Sequence, residues 1–353
     1  LSQSPLLGLA RTVRMEQSQW RTTSLDLDPQ PAREESEQLW AELINGEEEE
    51  VAFRSGLRYV GRLQRGPAEV APERVRGLES GPWRVETDRP GTLERVCARQ
   101  LGAKLEPTAG QVCIEVEVTG LNFKDVLLAL GFVPGEVDGP TPLGLECVGR
   151  VASLGAGVTD LAVGQSVIAM GSGCLASHLL TSAELVIPLP EELTPEQAAG
   201  MPIAHLTAYY ALAHLGRLRR GEKVLIHAAT GGVGQAAIQW ARHVGAEIYA
   251  TTSNADKRAW LHGQCIDRVY DSRSLAFVDE ILAATDGKGV DVVLNSLAGP
   301  MLTRSLGLLA PYGRFLELGL RDVLDNAPLD LGPFARNLSF SVVDLGSMLR
   351  DRP

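Results

Sequence analysis

The chain has 353 residues, too many for a single core, so at least two domains are expected. Hydrophobic residues make up 44% and charged residues 22%, the balance of a folded enzyme and not of a disordered chain. The net charge of -11, from 33 Lys+Arg against 44 Asp+Glu, argues against a nucleic-acid binder, yet leaves room for a small anionic ligand held by a few local cations.

Residues 1–65 form a first zone. It reads as a helix at 8–16, a strand at 22–27, a polar helix at 34–43 and a strand pair within 51–63. Four acids at 47–50 read as a solvated turn. The zone is too small and polar for a good core of its own and looks like part of a larger α/β unit. Residues 66–81, with Gly, Pro and few large apolar side chains, read as a linker.

Residues 82–203 are dominated by strands, expected at 83–87, 112–118, 149–154, 166–170 and 185–187. The alternation in VCIEVEV suits a half-exposed sheet. One helix is expected at 123–130. Glycine-rich corners at 155–157 and 171–173 suit a compact β-barrel-like domain.

Thr194-Pro195-Glu196-Gln197 then sets an N-cap, a proline at the first helical position and a capping-box glutamine in order. Over 204–344 strands and helices alternate. Strands are expected at 223–227, 247–252, 268–270, 290–295, 314–318 and 338–343. Helices are expected at 232–244, 256–262, 277–284 and 301–309. This pattern means a parallel, doubly wound sheet. The apolar run at 206–213 is too short to span a bilayer, and no signal segment opens the chain, so a cytoplasmic protein is expected. Cys97, Cys113, Cys147, Cys174 and Cys265 are odd in number and contain no CxxC, which argues against a disulfide framework or a structural zinc.

The strongest chemistry lies in VLIHAATGGVGQAAIQWA, residues 224–241. A strand leads through a tight turn into a helix opening near Gly232. Gly231 and Gly232 permit the turn and a close backbone approach to a pyrophosphate, and Gly234 lets the helix pack on the strand. With Thr230 and Val233 these residues are candidate nucleotide ligands. NAD sites usually place an acid at the end of the second strand. Here that strand ends in Thr251-Thr252-Ser253-Asn254, with Lys257 close by and Arg273 past the third strand. Hydroxyls and cations suit a 2′-phosphate, so NADPH is the expected cofactor. Arg258 reads as a solvated helix residue. Asn295, Ser296, Leu318 and Gly319, at the ends of two further strands, should face the nicotinamide half or serve the fold alone.

A β-rich domain followed by AATGGVG resembles the medium-chain dehydrogenase/reductase superfamily. Asn122-Phe123-Lys124-Asp125 stands where a zinc-ligating cysteine would fall and Gly144-Leu145-Glu146 where the histidine would, so the likeness is to the zinc-free branch, with no metal. GLNFKDVLLALG (120–131), LGLECVGRV (143–151), TAYYAL (207–212), HAATGGVGQAA (227–237), GKGVDVVLNSLAG (287–299) and GRFLELG (313–319) together resemble the enoyl reductase domain of type I polyketide synthases, with animal-type fatty acid synthases as relatives. PLLGLARTVRMEQSQWRTTSLDLD resembles the end of a structural ketoreductase half.

The resemblance implies an α/β fold: a GroES-like substrate domain over 82–203 and a Rossmann domain over 204–344, with residues 345–353 expected to start a truncated C-terminal segment. It implies NADPH-dependent reduction of an enoyl thioester on acyl carrier protein and ketoreductase and dehydratase neighbours in one synthase, with either a homodimer or a monomer open. Asn122 and Val133 fall in substrate-binding positions. Val133 stands where many of these reductases carry a tyrosine; alternatively it only packs. The family often has a proton-donating lysine where this chain has Leu320, followed by Arg321, which can stabilise an enolate. A second family donor aligns with Asp344, whose carboxyl would need a raised pKa; its alternative is a helix cap. A quinone oxidoreductase and a silent cofactor-binding domain stay open as rival readings.

Overall fold

The computed structural model describes residues 10, 22–28, 35–46, 48, 50–60, 81–101, 105–133 and 139–351. The expected helix at 8–16 (Ala10 apart), two acids of the 47–50 run, the end of the strand pair at 61–63 and the linker up to residue 80 lie outside these. The chain divides into two compact units, Leu1–Arg74 and Val75–Pro353.

In the first unit β1 (Ser24–Asp26), α1 (Glu35–Asn45), β2 (Glu50–Arg54) and β3 (Leu57–Val60) follow one another. β1 pairs parallel with β2, and β2 antiparallel with β3. Alternation along β2 turns Val51 and Phe53 inward, and these are the buried apolar side chains of the unit among its described residues. Arg58 reaches across to Glu42 through both Nε and Nη2, at 2.5 and 2.8 Å, pinning helix to sheet. Trp40, Leu43 and Ile44 stay exposed on α1.

The second unit opens with two small sheets. β4 (Trp83–Thr87), β5 (Val96–Gln100), β6 (Gln111–Gly120), α2 (Phe123–Ala129), β7 (Thr141–Pro142), β8 (Glu146–Leu154), β9 (Ser166–Met170), β10 (His178–Ser182) and β11 (Val186–Pro188) follow in order. The sheet orders are β10-β6-β8-β9-β11 and β5-β4-β7. Val112, Ile114, Cys147, Val151, Val167 and Leu179 fill the space behind the larger sheet. The strands β5, β7 and β10 were not expected. β5 and β10 are edge strands, and the residues of β5 alternate half-buried with exposed.

Two helices then link this half to the next: α3 (Pro195–Ala199) and α4 (Pro202–Tyr209), the latter running on into a π-helical stretch, Tyr210–Leu215. The expected capping box starts α3. Gln197 N–H donates to Thr194 Oγ1 at 3.3 Å, and Thr194 N–H donates to Gln197 Oε1 at 3.0 Å. Such a cap is worth about 1 kcal/mol. The apolar run at 206–213 is not a separate segment but core: Ala208, Ala211 and Leu212 pack with Val224, Ile226 and Leu294.

The remaining elements are β12 (Lys223–Ile226), α5 (Gly232–Val244), β13 (Glu247–Thr252), α6 (Ala255–Gly263), β14 (Val269–Asp271), α7 (Ala276–Ala284), β15 (Val290–Asn295), α8 (Pro300–Gly307), β16 (Leu309–Glu317), α9 (Arg321–Leu324), β17 (Ser339–Val342) and α10 (Leu345–Asp351). Six parallel strands order as β14-β13-β12-β15-β16-β17. The chain thus starts in the middle of the sheet, works outward on one side, and returns to the middle. That reversal opens a crevice at the carboxyl ends of β12 and β15, the place where parallel sheets receive ligands. β16 begins earlier than the sequence pattern predicts, at Leu309, because the helix before it stops at Gly307.

Candidate functional site

The crevice floor is the turn after β12. Ala228 takes a left-handed backbone at φ 48°, unusual for a residue with a side chain. Gly231 N–H donates to Ala228 O at 2.8 Å, which closes the turn. Gly231 then caps α5 in extended conformation and, lacking a side chain, gives the first-turn N–H groups no internal acceptor. Those donors, at the positive end of a 13-residue helix, are left for an anion. A Cβ on Gly234 would lie 2.5 Å from Ala228 O and 2.7 Å from Ala229 Cα, so this position can only be glycine. A side chain-free cradle of this kind fits a dinucleotide pyrophosphate.

His227 locks the turn from beneath. It is buried, with Nδ1 2.8 Å from Thr251 Oγ1 and Nε2 2.9 Å from Ser305 Oγ. Ser305 Oγ donates to Met301 O at 2.7 Å, so it accepts from Nε2–H, and Nδ1 accepts from the Thr251 hydroxyl. Burial pushes the imidazole pKa down to about 3, so the ring stays neutral.

At the end of β13, Thr252 is buried and its hydroxyl lies 3.3 Å from that of Thr230. Ser253 is half-buried beside it, and Asn254 Oδ1 accepts from Lys257 N–H at 2.9 Å to cap α6. Lys257 and Arg273 are exposed, and no ion pair among the described residues engages either. Arg258 differs from its expected solvated state: it is half-buried and pairs with Asp271 at 3.6 Å. Two hydroxyls and two uncommitted cations fit a 2′-phosphate better than a ribose diol.

Farther along the crevice, β15 and β16 end side by side. Asn295 is buried; its Nδ2 donates to Leu297 O at 2.7 Å and to Glu317 Oε2 at 2.5 Å. Glu317, 1% exposed, accepts from Gly319 N–H at 2.5 Å through its other oxygen. Leu318 N–H donates to Asn295 O at 2.8 Å. Ser296 is exposed at the tip, with Leu318 and Gly319 half-buried. Burial pushes the Glu317 carboxyl up to about 7, against the pull of the Asn295 and Gly319 donors. Glu317 holds the two strand tips together, and sequence reasoning passed over it. An acid inside the apolar run FLEL was the signal.

The facing wall comes from the β-rich half. Asn122 N–H donates to Asp125 Oδ2 at 2.9 Å, and Asn122 Nδ2 donates to Glu146 Oε1 at 2.7 Å. The other Glu146 oxygen accepts from Ile203 N–H at 2.7 Å, at the start of α4. Asp125 Oδ1 accepts from Gly144 N–H at 2.8 Å. Burial raises the carboxyl pKa of both acids. Glu146, also missed from sequence, thus fixes the orientation of Asn122. Val133 is half-buried against Leu128, Ala129 and Leu143, a packing environment; Pro134-Gly135 after it lies outside the described residues.

The expectation for Asp344 is corrected. Its Oδ2 accepts from Ser347 Oγ at 2.6 Å and its Oδ1 from Gly346 N–H at 3.1 Å, so it caps α10. Burial would raise its pKa, but the Ser347 hydroxyl, the Lys124 ammonium and backbone donors outweigh it and hold the carboxyl below its ordinary value. An ionised cap cannot donate a proton near neutrality. Lys124 on α2 lies 3.7 Å from Asp344 Oδ1. Arg321 is 68% exposed, its Nε 3.4 Å from Asp322 Oδ1, and Asp322 Oδ2 accepts from Gly299 N–H at 2.5 Å.

Residues 232–352 match the family model described as zinc-binding dehydrogenase, and residues 108–191 the one described as alcohol dehydrogenase GroES-like domain. The described residues offer no fit for the metal in the first description. No group of three or more His, Cys, Asp or Glu among the described residues is placed to hold an ion. A phenolphthiocerol/phthiocerol polyketide synthase of Mycobacterium tuberculosis is 44% identical over 367 residues, covering 100% of this chain and 17% of the relative's own length. The CurK enoyl reductase structure is 36% identical with a TM-score of 0.71, covering 77% of this chain and 83% of that one. A mycobacterial protein complexed with NADPH is 27% identical with a TM-score of 0.68, covering 76% and 83%.

Proposed function

This chain belongs to the enoyl reductases of polyketide synthases, in the medium-chain dehydrogenase/reductase superfamily, and from that premise we propose its reaction. It is an NADPH-dependent reductase of the α,β double bond of an enoyl thioester carried on acyl carrier protein during chain elongation. It works in the cytoplasm beside ketoreductase and dehydratase domains of the same synthase. The observation that carries the reading is the pairing of the uncapped glycine turn with the hydroxyl-and-cation tip at Thr252, Ser253, Lys257 and Arg273.

NADPH, when bound, supplies the hydride. Thr230, Gly231, Gly232 and Val233 hold its pyrophosphate. The tips carrying Asn295, Ser296, Leu318 and Gly319 support its nicotinamide half. Asn122, oriented by Glu146, presents a polar group from the opposite wall. Reduction of the β-carbon moves negative charge onto the thioester oxygen, and dipoles already fixed by the fold stabilise it without reorganising. Alignment of nicotinamide and alkene between the two walls lowers the barrier further.

The test follows NADPH absorbance with crotonyl and 2-methylcrotonyl thioesters of N-acetylcysteamine or carrier protein, beside NADH. Thioester-dependent oxidation of NADPH in preference to NADH is the expected result. Quinone reduction without thioester reduction would instead make the chain a quinone oxidoreductase. Tight NADPH binding with no turnover would make it a silent domain.

A further inference from the structure

We propose that Lys124 is the proton donor that completes the reduction, an inference that rests on the enoyl reductase reading above. The positions that sequence likeness assigns to proton donation are not chemically able to do it here. Leu320 has no proton to give, Asp344 is an ionised helix cap, and the Arg321 guanidinium beside them, suited to stabilising an enolate, is a poor acid. Glu317, Glu146 and Asp125 are buried and have both oxygens committed to internal donors.

Lys124 remains, and its setting is unusual. It sits two residues after Asn122, and the residue it meets, Asp344, follows β17 at the carboxyl end of the parallel sheet. Its Nζ lies 3.7 Å from Asp344 Oδ1, with the two side chains 31% and 30% exposed. Among the described residues this is the ion pair that joins the β-rich half to the parallel-sheet half. A pair so exposed contributes little to stability. Its separation also exceeds the roughly 2.7–2.9 Å of a charge-assisted hydrogen bond. Asp344 is meanwhile satisfied by Ser347 and Gly346. The carboxylate therefore steers the ammonium toward the carboxyl end of the parallel sheet without consuming its N–H groups.

Hydride addition at the β-carbon sends the alkene π electrons onto the thioester as an enolate. An Nζ–H bond of Lys124 then breaks toward the α-carbon. The enolate pair forms the new Cα–H bond, the thioester carbonyl re-forms, and the neutral amine regains a proton from water.

The test uses the full chain and two variants, Lys124→Met and Lys124→Arg. First, without cofactor or substrate, Asp344 is titrated by NMR of labelled aspartate. Its midpoint rises in Lys124→Met and holds in Lys124→Arg; an unchanged midpoint in Lys124→Met overturns the pairing. Second, NADPH affinity is unchanged in both variants while kcat on the 2-methylcrotonyl thioester falls about 100-fold or more. Full kcat in Lys124→Met overturns the role, and rescue of kcat by Lys124→Arg overturns proton donation, since arginine does not release a proton. A wild-type chain that binds NADPH and reduces no thioester refutes the enoyl reductase reading instead, while the titration still reports the pair.

Discussion

At the carboxyl ends of β12 and β13 the site is made of backbone. Gly231, Gly232 and Gly234 leave peptide N–H groups bare at a helix start, and the chain around them is neighbouring in sequence. At the facing wall the site is made of side chains brought from afar: Asn122 is held by Glu146, Glu146 by Ile203, and Lys124 meets Asp344. The first region is local in sequence and is braced from beneath by His227. The second exists only once the two halves of the unit have packed. Binding should therefore fail through backbone changes, and chemistry through side-chain changes that leave binding intact.

The most damaging test of that contrast is Gly234→Val. Its Cβ would meet Ala228 O and Ala229 Cα at 2.5 and 2.7 Å, and backbone cannot move aside cheaply. The expected outcome is destabilisation of about 1–3 kcal/mol or more and loss of measurable NADPH binding. Gly232→Ala is the companion measurement, since its Cβ would touch only Ala204 Cβ at 3.6 Å. Its thermal unfolding should match wild type. Equal NADPH titrations for Gly234→Val and wild type would break the claim that this region is backbone-made.

A smaller effect is expected at the junction of the two strand tips. Glu317 has its pKa pushed from 4.5 to about 7 by burial. The folded state then holds its proton more tightly than the unfolded chain, so stability falls as pH rises from 4.5 through 7. Above pH 7 the buried charge costs roughly 3 kcal/mol; below the unfolded value it costs nothing. Glu317→Gln keeps the shape and removes the titration, at a fixed hydrogen-bonding cost. Denaturation at a series of pH values should show the variant gaining on wild type from pH 5 to pH 8. A constant difference across that range would mean that Glu317 binds its proton equally in the folded and unfolded chain, so that burial does not raise its pKa.

The same division governs what could be read in advance. The parallel sheet was legible because each strand is a short apolar run between helices; Glu247–Thr252 and Val290–Asn295 fall where the pattern predicts. β5 was not, since its alternating exposure in VCARQ resembles any surface loop. The helix from Pro202 was not, because a run that is apolar on every side has no period to detect. The glycine turn announced itself, being encoded in adjacent residues. Glu146 and Glu317 did not, since an acid flanked by apolar residues reads as the outward face of a strand, and their partners lie 57 positions away at Ile203 and 22 at Asn295. Asp344 shows the converse error: a residue can align with a donor and still be a cap, because only three-dimensional neighbours decide its charge.

The smallest predicted effect lies at the tip of β13, where the two kinds of construction meet. Thr252 is fixed by the fold, whereas Lys257 and Arg273 are exposed side chains. Replacing both by alanine should leave unfolding and NADH affinity unchanged, because neither cation is in an ion pair among the described residues. NADPH should lose affinity, since a 2′-phosphate would forfeit two charge partners. Exposure limits each to about 1 kcal/mol, so the NADPH-to-NADH ratio of kcat/KM should fall roughly 10-fold to 30-fold. The loss should shrink at high salt, where wild type is already screened. A ratio that stays fixed in the double variant would move the 2′-phosphate site off these cations and onto the hydroxyls of Thr252 and Ser253, which would make even cofactor choice a property of the rigid strand end.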